Sequence, residues 1–178
     1  MDTMDERRTR LVDPLPFESS RVLRAFQLKL ERTPDRRKRL AILKACAKVG
    51  APWVESLYWE ALSDACEEVR DYLVRDLSLR PSLDLDRARN RLRRPPWYAK
   101  SAVLRILGAH KAREAVPEIR GIMDDANIEV RRTAAAALGE IGGEDALTLL
   151  VRLRKDVSPY VKAAAEEAIA KASRLRFS

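Results

Sequence analysis

Apolar positions recur at helical spacing in paired blocks, and the blocks themselves repeat. Val116, Ile119 and Ile122 return as Leu147, Leu150 and Leu153, and Leu107-Gly108 returns as Leu138-Gly139, a period of 31 residues. Ala99, Val130 and Val161 share one register, each followed by a cation: Lys100, Arg131 and Lys162. A helix-turn-helix unit of that length cannot bury its apolar stripe alone. Stacked neighbours complete the core and leave one long inner face. The pattern predicts an all-α chain, a right-handed α-α superhelix (α solenoid) of about five hairpins, and no sheet.

Turn and capping residues place the hairpins near 17–49, 52–79, 83–108, 112–141 and 144–176, in one domain preceded by a mobile tail, residues 1–16. In the clearest unit a helix carrying Val116, Ile119, Ile122 and Met123 ends at Asp124-Asp125. Asn127 caps its partner, and Gly142-Gly143 reverses the chain. Ser158-Pro159 starts the last helix, where Glu166 and Glu167 replace Ala135 and Ala136, as suits a terminal unit whose outer side is wet.

Charge changes the picture through its arrangement. The chain has 178 residues and a net charge of +8, and between Arg87 and Arg113 it holds nine Lys or Arg residues and no acid. A second such stretch runs from Arg36 to Lys48. Leu85, Ala88 and Leu92 make a thin apolar stripe, so the arginines between them are expected to project to solvent. Arg89, Arg93, Arg94, Lys100, Arg105 and Lys111, with Trp97 and Tyr98, form the candidate partner-binding surface, attractive to an acidic protein or to nucleic acid. If phosphates are the target, affinity falls with salt at a log-log slope of about 0.9 per phosphate neutralised.

Candidate chemistry is sparse. Cys46 and Cys66 lie in apolar helical surroundings without metal-ligand spacing and read as buried thiols. His110 has no companion ligand, and no phosphate cradle or nucleophile elbow is present, so no catalytic residue, metal or cofactor is expected. The charged, proline-bearing start supplies neither a signal peptide nor a membrane span, and a cytoplasmic protein is the default reading.

Pro117, Asp125, Val130 and Arg131 in one unit, Asp156, Val161 and Lys162 in the next, and Asp64, Val69 and Arg70 upstream resemble HEAT repeats, closest to the short type named for phycobilisome lyases. The resemblance implies a ladder in which turn aspartates Asp64, Asp125 and Asp156 meet Arg70, Arg131, Lys162 and backbone amides between stacked turns. A carboxylate beside a helix N-terminus is independently favoured by unpaired amides and the helix dipole. Arg94, followed by Pro95-Pro96, stands where one turn aspartate belongs. Thr148 replaces the proline of the first helix in the last unit.

The first function this supports is a non-catalytic scaffold that binds an acidic or helical partner on its concave, basic face. The alternative is nucleic-acid binding. Within that alternative, a relation to DNA glycosylases built on HEAT-like repeats would imply aromatic contacts from among Trp53, Tyr58, Trp59, Trp97 and Tyr98 and an acid from Asp71 or Asp76. A bilin-lyase-like chaperone is the third reading.

Overall fold

The computed structural model describes residues 17–82 and 84–175, and the expected mobile tail lies outside them. The described residues form ten α-helices and no strand. In order they are α1 (Phe17–Glu31), α2 (Arg36–Ala47), α3 (Pro52–Ala61), α4 (Glu67–Ser78), α5 (Leu85–Leu92), α6 (Trp97–Ala109), α7 (Val116–Arg120), α8 (Ile128–Ile141), α9 (Glu144–Leu153) and α10 (Pro159–Leu175).

Local chemistry explains most boundaries. The carboxylate of Asp35 accepts from the amides of Arg37 and Lys38 and so caps α2. Asp84 caps α5 and Asn127 caps α8 in the same way. Pro52 opens α3 at a position whose amide has no helical partner in any case.

The helix expected through Met123 is interrupted. A 3-10 turn at Arg113–Ala115 leads into the five-residue α7, after which Ile122, Met123 and Asp125 donate to carbonyls three residues back. Gly121, a poor helix former, stands where the α pattern tightens. Tightening keeps the apolar face turned inward, for Ile119 and Met123 are both buried.

Odd-numbered helices form one row and even-numbered helices the other. Within the second row α4 packs on α6, α6 on α8 and α8 on α10. One continuous core runs from Leu43 to Ala168. The molecule is an α solenoid of helical hairpins.

Small residues set how close the second-row helices approach. A Cβ placed on Gly139 of α8 would lie 2.7 Å from the Cβ and 3.1 Å from the Cα of Ala168 in α10. One hairpin earlier, a Cβ on Gly108 would lie 3.2 Å from the Cα of Ala137. Gly139→Ala is therefore expected to lower stability by about 1 to 3 kcal/mol through overpacking. This holds even though alanine is the better helix former by about 1 kcal/mol. An unchanged urea midpoint would show that these backbones are not in contact.

Candidate functional site

The loops joining the two helices of each hairpin lie along one edge, where carboxylates and cations interlock. Arg131 sends Nη1 to the carbonyl of Asp125 in its own turn at 2.7 Å, and its Nε and Nη2 grip Asp156 of the next hairpin at 2.8 and 3.0 Å. Asp156 accepts in turn from the Ser158 amide at 2.8 Å. Lys100 reaches Asp125 at 2.7 Å, and Asp125 accepts from the Asn127 amide at 2.9 Å. Each rung thus ties one second-row helix to the following turn.

The first rung was not foreseen. Arg39, read in sequence as one of a basic stretch, grips Asp64 through Nε and Nη2 at 2.7 and 2.9 Å while Nη1 holds the carbonyls of Thr33 and Pro34. Its signal was available, since a cation stands six residues after the turn position in every unit: Thr33/Arg39, Asp64/Arg70, Arg94/Lys100, Asp125/Arg131 and Asp156/Lys162. Two expected ladder cations behave differently. Lys162 is exposed and forms no ion pair among the described residues, and Arg70 has no carboxylate opposite it.

Rung chemistry gives a pH dependence. The Arg131 hydrogen bonds, aided by the Ser158 amide, hold the Asp156 carboxyl below its usual range. Burial opposes the same shift at Asp125, but Lys100 and the Asn127 amide outweigh it. A depressed carboxyl stabilises the fold above its unfolded value of about 3.9 and loses that contribution as pH falls through its folded value. Stability should therefore drop below about pH 5. The drop should be shallower in Asp156→Asn, and parallel acid titrations of the two proteins would contradict this.

The arginines of α5 do not fan out into solvent. Arg87 donates to Ser56 of α3, and Arg91 pairs with Glu60 of α3. Arg89 lies 3.2 Å from Glu118 of α7 and donates to the Glu114 carbonyl at 2.9 Å. The stretch is free of acids in sequence but not in space, because neighbouring hairpins supply them. With only Ala88 and Leu92 buried, α5 is anchored sideways by ion pairs. Arg89 and Lys100 are thus occupied. Arg93, Arg94 and Lys111 are exposed, with Arg93 and Arg94 in the α5–α6 turn and Lys111 beyond the opposite end of α6. These three therefore do not form one patch.

The second-row helices enclose a groove of 670 Å³ across α4, α6 and α8. Arg70 and Asp71 line it from α4, Trp97, Ser101 and Arg105 from α6, and Arg132 from α8. Arg105 pairs with Asp71 at 2.6 Å, and Arg132 with Glu129 at 2.7 Å, which holds Glu129 below its ordinary range. The Ser101 hydroxyl is buried in the groove without a hydrogen-bond partner among the described residues. Trp97 is 44 % exposed, Ile128 at the same register one hairpin on is 47 % exposed, and Tyr160 follows at 71 %. Exposed apolar side chains therefore stand at the heads of α6, α8 and α10.

Aromatics that look alike in sequence divide sharply here. Trp53, Tyr58 and Trp59 are buried, with Trp53 stacked on Phe26 at 5.0 Å and the Tyr58 hydroxyl donating to the Leu43 carbonyl at 3.0 Å. Only Trp97 and Tyr98 of the five reach the groove. Asp76 is paired with Arg80 at 3.0 Å, and Asp71 with Arg105. His110 lies 2.9 Å from the Leu77 carbonyl, where its Nε2–H satisfies a group at the end of α4. Among the described residues no group of His, Cys, Asp and Glu is arranged to hold a metal, and no helix is long and apolar enough to cross a membrane.

The family model for HEAT repeats matches residues 85–170, from α5 into α10. Residues 85–170 are HEAT repeats, and α1–α4 continue the same hairpin plan ahead of the matched stretch. No curated protein matches it.

Proposed function

We propose that this chain is a non-catalytic, cytoplasmic scaffold module that binds a protein segment across the groove of α4, α6 and α8. HEAT repeats serve protein binding and scaffolding in general, because stacked hairpins offer an extended surface that needs no active site. The observation that carries the reading is the half-exposed Trp97 at the groove rim, with Ile128 and Tyr160 exposed at the heads of α8 and α10 and with Arg70, which forms no salt bridge among the described residues, lining the same groove. Tryptophan and arginine dominate binding energy at protein interfaces, and apolar rows with polar margins mark docking surfaces. The partner is accordingly a segment with apolar side chains at intervals and acidic residues between them. Nucleic acid is the weaker reading, since Arg93, Arg94 and Lys111, the exposed cations of the expected surface that form no ion pair among the described residues, are split between two ends of α6.

A photo-crosslinking residue placed at Ala136, exposed in the groove, should give protein adducts in the native host that survive nuclease. The same residue at Val151, on α9 in the other row, should give none. Trp97→Ala should weaken capture of the adducted partner about tenfold or more. Nuclease-sensitive adducts, or adducts from position 151 alone, would overturn the proposal.

A further inference from the structure

The rung series fails at one place, and the failure leaves a shaped site. In Arg39 and Arg131 the guanidinium is fixed by Nη1 to turn carbonyls six residues back, and the remaining edge, Nε with Nη2, clasps a carboxylate. Arg70 is fixed identically, with Nη1 at 2.8 Å from the carbonyls of Asp64 and Ala65. The next turn, however, offers Arg94 instead of an aspartate. The Tyr98 ring lies 4.5 Å from the Arg70 guanidinium carbon and makes a cation-π contact. Tyr98 holds the group by a face, and Nε and Nη2 of Arg70 make no hydrogen bond among the described residues. Arg70 lines the groove together with Trp97 and Tyr98.

The geometry points to a carboxylate site: we infer that the Nε/Nη2 edge of Arg70 receives an aspartate or glutamate side chain from the protein partner, completing the missing rung in trans. The inference rests on the groove reading above and names its charged anchor. Three features favour this occupant. A guanidinium edge matches the two oxygens of a carboxylate with parallel hydrogen bonds. The same edge already binds carboxylates at Arg39 and Arg131 in this chain. Arg94, exposed at the position of the absent aspartate, adds positive charge where the ligand would enter, instead of the repulsion an aspartate would bring. Since the ordering of Arg70 is already achieved by its turn carbonyls and Tyr98, binding need not supply it.

The test follows the Arg70 Nε–H and Trp97 indole N–H resonances of the full chain by NMR, with Arg70→Lys to assign the first. The probes, at millimolar concentration, are the blocked tripeptide leucyl-glutamyl-leucine, its glutamine counterpart and inorganic phosphate. The glutamate peptide should shift the Arg70 signal saturably and the glutamine peptide should not. Arg70→Lys should weaken the glutamate peptide about fivefold or more, because a lysine cannot form the paired bonds. Arg94→Asp should close the rung internally, moving the Arg70 signal towards those of Arg39 and Arg131 and abolishing the response. An Arg70 signal that ignores the glutamate peptide, or answers both peptides equally, overturns the inference, as does a stronger response to phosphate. If both peptides shift Trp97 but neither shifts Arg70, the groove reading survives alone; if Trp97 is also unmoved, both fall.

Discussion

Arg131→Ala is expected to destabilise the chain by about 3 to 5 kcal/mol, as removal of one partner from a buried pair does. Side chains of Arg131 and Asp156 are only 10 % and 9 % exposed, so the orphaned carboxylate cannot recover its hydration. The Asp125 carbonyl loses its donor at the same time. Arg70→Ala removes the equivalent turn contacts and the Tyr98 stack but strands no carboxylate, so it should cost less than half as much. Denaturant melts of the two variants give the comparison. Equal losses would mean that rungs contribute through packing of the arginine stems and not through the ion pair.

Leu138→Ala is the second large effect, about 2 to 5 kcal/mol and towards the upper end. Leu138 is fully buried in α8, which packs against α6, α9 and α10. The cost of such a truncation depends on how far the surroundings collapse into the space left. Here they cannot move closer, because Gly108 already meets Ala137 and Gly139 already meets Ala168 at backbone distance. For a domain with about 5 to 15 kcal/mol of total stability this is a substantial fraction. A loss below about 1 kcal/mol would show a helix layer loose enough to repack.

Much of the fold was legible because stacking makes the sequence periodic. Each second-row helix meets the same neighbours, so Ala99, Val130 and Val161 had to be alike, and the Gly108/Gly139 register followed from close approach. Most departures from legibility arise because contacts between hairpins join residues about one repeat apart. The arginines of α5 look unpaired along the chain, yet Glu60 lies 31 residues before Arg91 and Glu118 lies 29 after Arg89. Arg39 hid within a run of cations, although its spacing from Thr33 matched the other units. The break at Gly121 depends on a tightening that keeps apolar spacing nearly helical, so periodicity could not reveal it.

The candidate site was legible in its members but not in its shape. Trp97, Tyr98 and Arg105 were selected, and all three line the groove. Nothing local separates Trp97 from Trp53 and Trp59, however. Trp53 and Trp59 belong to α3, a helix buried by its neighbours, whereas Trp97 stands at the head of a second-row helix where Glu67 and Ile128 occupy the same register. Lys100 was selected for its charge and proves to be spent on Asp125.

The account depends on carboxylate–cation rungs that physically join successive hairpins and so hold the groove helices side by side. A double-mutant cycle of Arg131→Ala and Asp156→Ala measures that joint directly. The predicted coupling is about 2 kcal/mol or more, whereas additivity within about 0.5 kcal/mol would contradict it.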